Sequence, residues 1–539
     1  MFHLIRRYSV SKTEDKLQCF FETLLEELDD VTVGDPARGY AVARLVQRAR
    51  KRARFNVPGL VDKAVNDFVE TNNLVGETKL NIDKQILSDA RYFLHIVLEK
   101  FTKNLYPEAI QQPLDLAYIF QNWRFGPGAS NGIKGTHTAE KLLQDMTCTA
   151  RSEPLVRKLR RTNLYMWLSD ELTQSGVRLV SGSRLATVPK NEDTMRTIAI
   201  EPSGNMALQL SAGMYLEGAL RSIGLDISNQ QPKNKAMAKR GSISNSLATI
   251  DLKSASDMIS IRLVRALLPK VWFDFLMTIR SPEIELPSGE SIKLNMMSTM
   301  GNGFTFPLMT LIISSLIYGF RAQNKGPNLY IDWTDTCVFG DDIILPSSEY
   351  VGFCEVLSGA GLIVNYDKSY SAGPFRESCG GDYYNGVNVT PFYVKSVATP
   401  ADIYVAMNQV MLWSAENNIF LFRTMNLLKS YLGKVFLVPE WYNPNQGLLT
   451  SQCSRRYNYL SIVPNKRLLK TSLYDMMLAV GGYISESGPN FVYTPRTDRP
   501  RYKVRKSRLP RGFLDGGDPL TRSPVVTARI ASYTAILLQ

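Results

Sequence analysis

The segment Thr334–Pro346, TDTCVFGDDIILP, sets two adjacent carboxylates between two runs of core-type residues. Few local folds accommodate that pattern. Cys337, Val338 and Phe339 on one side and Ile343, Ile344 and Leu345 on the other suit two short strands, and Gly340 gives the freedom for a tight turn between them. Asp341 and Asp342 then stand at the tip of a hairpin. Turns favour aspartate for their own reasons, and Gly-Asp-Asp alone arises by chance in roughly one chain of this length in ten. Neighbouring ionised carboxylates repel, however, and are tolerated best beside a cation, so the reading needs a third acidic partner.

SLATIDLKSASD, Ser246 to Asp257, supplies one. A short apolar strand ends at Asp251, with Asp257 shortly beyond, and a neighbouring strand position would bring Asp251 against Asp341. Three carboxylates at strand ends are what a pair of magnesium ions requires in nucleotidyl transfer. Between these segments lies STMGNGFTF, Ser298 to Phe306. Its glycines allow close backbone approach, and Ser298, Thr299 and Asn302 offer uncharged donors and acceptors for a sugar or base pair. The same string also reads as a helix start capped by Asn302.

Composition narrows the classes. With 44% hydrophobic and 21% charged residues, the 539-residue chain can bury a large core of several subdomains. Sixty-three Lys and Arg against 50 Asp and Glu give a formal charge of +13, which favours a polyanion such as nucleic acid or an anionic membrane surface. The six cysteines show no Cys-x-x-Cys spacing and read as free thiols of a reducing cytoplasm. Three histidines, His3, His95 and His137, argue against a histidine metal cage or a Ser-His-Asp hydrolase. MFHLIRRYSV is too short and weakly apolar for a signal peptide. In the uncharged run Leu294–Phe320, Gly301-Asn302-Gly303 interrupts the sequence, leaving a loop and then a buried helix shorter than the ~20 residues a bilayer needs. No membrane is expected.

Along the chain, Leu17, Phe20, Phe21, Leu24, Leu25 and Leu28 recur at helical spacing behind a Ser11–Glu14 capping box. Arg44, Arg48 and Arg52 form a stripe within Ala41–Phe55 that could track phosphates or simply face solvent. FGPGASNGIKG reads as a loop, and VPKNEDTMRTIAIEP as a β-prone stretch carrying Lys190 and Arg196 and ended by Pro202. From about Leu247 short strands alternate with helices. After Pro400 the pattern is mostly helical and ends in Pro- and Arg-rich sequence.

Taken in order, VPK…MRTIAIEP, LATIDLKSASD, STMGNGFTF, VFGDDIIL and GPFRESCGG…GVNVTPFYVK resemble the catalytic (beta) subunit of the RNA-directed RNA polymerase, or replicase, of positive-strand RNA bacteriophages, the levivirus group. The resemblance spans roughly Val188 to Lys395. It implies an α+β right-hand fold of fingers, palm and thumb, with an antiparallel palm sheet flanked by helices. Residues 1–245 would form the N-terminal region and fingers, 246–400 the palm with the catalytic motifs and an inserted portion of the fingers, and 401–539 the thumb with a basic C-terminal region. The implied activity is primer-independent, RNA-templated RNA synthesis from ribonucleoside triphosphates in the cytoplasm of an infected bacterium.

By the same resemblance, Asp251, Asp341 and Asp342 are magnesium ligands for two ions, with manganese as a possible substitute. Lys190 and Arg196 neutralise the triphosphate; Asp257, Ser298 and Asn302 contact the nucleotide, Asp257 and Asn302 at its ribose hydroxyls; Lys368 donates a proton to departing pyrophosphate. Host elongation factors Tu and Ts and a small-subunit ribosomal protein are implied partners beside RNA template and product. The chain departs from the family pattern in several places. Glu192, Asp193 and Ile200 stand where further lysines are usual, Lys253 replaces a serine, Pro307 a glutamate and Asn388 an aspartate. The basic segment Pro495–Gly512 could hold RNA backbone, with Tyr502 stacking on a base, or form a solvated tail. A reverse transcriptase would share the paired aspartates, and a non-catalytic RNA-binding protein would share the charge.

Overall fold

The computed structural model describes residues 2–52, 58–105, 114–136, 141, 144–161, 176–191, 194–325, 331, 333–439, 442–450, 456–463, 501–508 and 524–538. At its centre is a three-stranded antiparallel sheet in the order Leu247–Ile250, Asp342–Pro346, Cys337–Phe339. Alternation along these strands divides their apolar residues between two cores. Leu247, Cys337 and Ile344 pack with Met237 and Ala238 of the helix Gln230–Ser244. Ile250, Val338, Ile343 and Leu345 face the other way, into the core shared with the helix Thr305–Lys325. Burial on both faces explains why the sequence runs are continuously apolar. It also bears out the expected antiparallel sheet flanked by helices.

Thr305–Lys325 has 21 residues, longer than the expected span, although the break at Gly301–Gly303 lies where the sequence put it. Among the described residues it alone is long and apolar enough to cross a membrane, yet 89% of its apolar window is buried inside the protein. The helices Lys84–Leu105 and Ser203–Ser222 pack against it.

The first helix runs from Phe2 to Asp29, so the Ser11–Glu14 capping box lies inside it rather than at its start. No glycine or proline precedes that box, and extending a helix costs less than ending one and nucleating another. Leu17, Phe20, Phe21, Leu24 and Leu28 are buried as the spacing predicted. Their partners are distant in sequence. Residues 17–49 share a core with residues 375–537, so the buried cores cut across boundaries at 245 and 400.

Arg44 and Arg48 of the arginine stripe on Pro36–Arg52 belong to this packing, and the Arg52 side chain lies outside the described residues. Arg44 donates to Asp382 at 2.6 and 2.9 Å and to Glu377 at 3.3 Å, while Arg48 lies over the Tyr393 ring. Arg44 therefore clamps a hairpin rather than tracking phosphate. The C-terminal part is more mixed than expected: the helices Pro400–Asn417, Phe422–Ser430 and Pro524–Leu538 are joined by several strands. Within the basic segment, Arg501–Arg508 is not a loose tail but pairs antiparallel with Arg456–Val463, because Tyr502 and Val504 alternate with cations at strand period. The rest of Pro495–Gly512 and the Tyr502 side chain lie outside the described residues. The five described cysteines are free thiols.

Glu27 joins the first helix to the helix Phe422–Ser430. Its carboxylate accepts hydrogen bonds from Arg423 N at 2.7 Å, Thr424 N at 2.9 Å and the Thr424 hydroxyl at 2.7 Å, capping the helix Phe422–Ser430 from outside. Replacing Glu27 by alanine leaves two helix-start N–H groups unpaired and is expected to cost about 2 kcal/mol. Hydrogen exchange should then accelerate at residues 422–425 and in the first helix, with the central sheet unchanged.

Candidate active site

Gly340 and Asp341 form the two-residue connection of the acidic hairpin, with Phe339 opposite Asp342. Gly340 has φ of 62°, and a Cβ there would lie 2.4 Å from the Phe306 ring, so conformation and space both demand glycine. Its N–H donates to the Thr310 hydroxyl at 3.0 Å, tying the tip to the helix Thr305–Lys325. Asp251 follows directly on the neighbouring strand, where Ile250 pairs with Ile343. Asp251 and Asp341 thus line one cleft of about 770 Å³.

The same cleft gathers cations and polar groups from four other segments. Lys190 and Arg196 come from the hairpin Ser183–Asn191/Thr194–Ile200. Pairing shifts register between Pro189 and Asn191, leaving Lys190 as the extra residue of a bulge, a device that re-aims a side chain. Lys368 sits on the short turn Tyr366–Lys368, held beside Asp251 because Asn365 N donates to Asp251 O and Tyr370 N to Thr249 O. Asp257 and Asn302 line the cleft too, and the helix Leu60–Glu77 closes one wall with Asp67, Phe68 and Thr71.

Electrostatics follow from this crowding. Burial, with Asp342 and Asp251 nearby, pushes the Asp341 carboxyl up to about 6. Burial alone pushes Asp257 up to about 6, against hydrogen bonds from Met300 N and Ser256. Asp251 is raised by burial, opposed by Asn365, whose Nδ2 donates to Oδ2 at 2.6 Å, and by Lys368. Lys190 is exposed as a residue, but burial around its ammonium and the cations Arg196 and Lys368 lower its pKa, opposed by Asp251 and Asp341. An anion entering the cleft meets cations, and a cation meets carboxylates.

Two expected site residues are turned elsewhere. Asp342 accepts from Cys379 N at 2.9 Å and the Ser378 hydroxyl at 3.2 Å, at the turn of the hairpin Phe375–Ser378/Gly381–Tyr384. Ser298 is buried, its hydroxyl donating to Ser256 O at 3.4 Å. Neither lines the cleft. Asn302 does, but its Oδ1 accepts from Thr299 N and Oγ1 and its Nδ2 donates to Glu201. Asn388 binds Glu416 and Thr390 away from the cleft.

Among the described residues no three His, Cys, Asp or Glu side chains are grouped as a ready-made metal cage. Asp251 and Asp341 nevertheless fit a hard divalent cation that keeps waters and takes further oxygens from a bound phosphate. Sequence reading passed over Asn365, the backbone N–H of Cys379, Glu201 and the 60–77 wall. Their residue types carry no signal at that distance in sequence.

Residues 71–452 match the family model described as RNA replicase, beta-chain. The chain is 40% identical over 306 residues to the RNA-directed RNA polymerase subunit beta of Escherichia virus Qbeta, covering 56% of this chain and 50% of that one. It is 33% identical over 366 residues to the corresponding subunit of Enterobacteria phage SP, covering 67% and 61%, and 40% identical over 299 residues to the beta chain of Escherichia phage MS2, covering 54% and 52%. The matches thus span about half to three fifths of these curated relatives. The RNA-dependent RNA polymerase of a human picorbirnavirus is a more distant structural likeness, at 11% identity and a TM-score of 0.42 over 69% of this chain and 74% of that one, and adds no weight. The match over residues 71–452 places the chain in the RNA replicase beta-chain family.

Proposed function

We propose that this chain catalyses RNA-templated RNA synthesis from ribonucleoside triphosphates. The observation that carries the reading is one cleft in which the paired carboxylates Asp251 and Asp341 face the cations Lys190, Arg196 and Lys368. Asp251 and Asp341 would hold magnesium, or manganese in its place, with Asp342 joining them once released from the Cys379 turn. The bound ions would activate the attacking 3′-hydroxyl and stabilise the leaving oxygen. Lys190 and Arg196 bind the triphosphate as cations matched to its charge. Lys368, beside Asp251, is the proton donor to pyrophosphate. Asp257 and Asn302, with Ser298 behind them, read the sugar.

Initiation without a primer, service in the cytoplasm of an infected bacterium and recruitment of elongation factors Tu and Ts and a ribosomal protein rest on the resemblance alone. The division into fingers over 1–245, palm over 246–400 and thumb over 401–539 is likewise a proposal. Here residues 17–49 would act as a brace on the thumb side, since they share its core.

Incorporation of labelled ribonucleotides on single-stranded RNA with magnesium tests the reading, with host factors supplied. Asp341→Asn is expected to lower incorporation at least about a hundredfold while RNA binding persists. Equal incorporation by the variant would remove Asp341 from the chemistry; preference for deoxyribonucleotides would favour a reverse transcriptase, and RNA binding with no turnover a binding protein. Lys190→Ala is expected to raise KM for the nucleotide about tenfold with a smaller change in kcat, as loss of a charge-assisted phosphate contact requires.

A pH test follows from Asp257. Its folded pKa of about 6 lies above the ordinary 3.8, so the folded state holds the proton more tightly than the unfolded chain. Stability from the neutral form is present below the ordinary value and is lost as pH rises through about 6. Asp257→Asn should therefore raise the thermal midpoint at pH 7.5–8 and leave it unchanged at about pH 4. An equal shift at both pH values would count against a buried, charge-strained Asp257.

A further inference from the structure

We propose that Glu201 is a positioning residue for sugar selection, holding the Asn302 side chain and the loop behind it in the orientation that reads the ribose of the incoming nucleotide. The inference rests on the polymerase reading above. Glu201 is the residue after the strand Thr194–Ile200 and is 1% exposed. Its Oε1 accepts from Asn302 Nδ2 at 3.1 Å, and its Oε2 from the Ser281 hydroxyl at 2.7 Å and Gln209 Nε2 at 3.0 Å. Asn302 Oδ1 in turn accepts from Thr299 N at 2.7 Å and Thr299 Oγ1 at 2.9 Å. Flipping that amide would set its NH₂ against the Thr299 N–H and its oxygen against a carboxylate. Glu201 and Thr299 therefore fix one orientation of a residue that lines the cleft.

The same strand holds the loop by its backbone. Ala199 N donates to Met300 O at 2.8 Å, and Met300 N donates to Asp257 Oδ1 at 3.3 Å. A Cβ on Gly301 would lie 2.1 Å from Ala199 O, so the approach admits only glycine. Arg196, three residues before Ala199, lines the cleft. One stretch of chain thus carries a triphosphate cation and, through Ala199 and Glu201, both side chains assigned to the sugar. Nucleotides that seat their phosphates on Arg196 find the sugar readers already placed.

The buried carboxylate serves Ser281 and Gln209 as well as Asn302. Arg280, its nearby cation, is buried and donates to Leu294 O at 3.1 Å and Met296 O at 2.8 Å. Burial pushes Arg280 down to about 10 and Glu201 upward. Glutamine would fill the same volume without burying a charge. What the carboxylate supplies is an acceptor that holds Asn302 on one oxygen while Ser281 and Gln209 occupy the other, with no N–H to set against any of them.

The test compares kcat/KM for ribonucleoside and 2′-deoxyribonucleoside triphosphates on an RNA template, using the full chain with host factors. Wild type, Glu201→Gln, Glu201→Asp, Asn302→Ala and the Glu201→Gln/Asn302→Ala double variant are measured, with thermal unfolding as the check on folding. Glutamine removes the charge, and aspartate keeps it but withdraws it by one methylene. Either change is expected to reduce the preference for ribonucleotides about tenfold, and Glu201→Gln should add nothing in the Asn302→Ala background. A merely structural role would lower both sugars alike, so folded variants with the wild-type preference overturn the proposal. A further loss of preference in the double variant also overturns it, as does failure of both single variants to fold. Wild type that incorporates neither sugar overturns the polymerase reading and this inference with it.

Discussion

Burial of the three-stranded sheet on both faces is the constraint on which the rest of the structure depends. Leu247, Cys337 and Ile344 fill one side, and Ile250, Val338, Ile343 and Leu345 the other. Carboxylates cannot enter either layer without a counter-charge. They are tolerated only where the strands stop, so Asp341 stands at the turn and Asp251 just beyond its strand. Antiparallel pairing of those strands then forces the two acids into one cleft.

The cleft is completed by pieces that are remote in sequence but short-tethered in space. Beside the cleft, the Phe375–Tyr384 hairpin reaches Asp342 through Cys379 N, and Arg44 of the helix Pro36–Arg52 holds that hairpin through Asp382 and Glu377. Asn365 contacts Asp251 by side chain and backbone, carrying Lys368 along. On the far wall, the bulge at Lys190 and the bond from Ala199 to Met300 join the hairpin that carries Lys190 and Arg196 to the loop that carries Asn302. Half of these hydrogen bonds use backbone N–H or C=O groups, whose partners depend on where the chain lies and not on which residue is present.

The acidic hairpin, its partner strand, the loop at Gly301–Gly303 and the β-prone stretch around Lys190 were legible because each is dictated within about a dozen residues by alternation, glycine and apolar runs. Lys190, Arg196, Asp251, Asp257, Asn302, Asp341 and Lys368 all meet in the cleft they were expected to share. Local signals failed where packing overrode them. The Ser11–Glu14 box was absorbed into a helix beginning at Phe2, and the stripe that suggested phosphate contact gave Arg44 to an internal ion pair. The strand over Arg501–Arg508, by contrast, follows a local alternation that the reading of the basic segment as RNA contact or tail left aside.

The sequence by itself determined the chemical inventory and its local geometry: carboxylates at a strand end and a turn, cations on a β-prone stretch, and a family resemblance that the match over residues 71–452 bears out. Periodicity and turn preference act over a few residues, so these features are written locally. Tertiary structure alone decided that Asp342 turns to the Cys379 N–H, that Ser298 faces Ser256, that Glu201 holds Asn302, and that residues 17–49 brace a core built from residues 375–537. Each of those outcomes is a competition among donors, acceptors and apolar surfaces tens to hundreds of residues apart, settled only when the whole chain is packed.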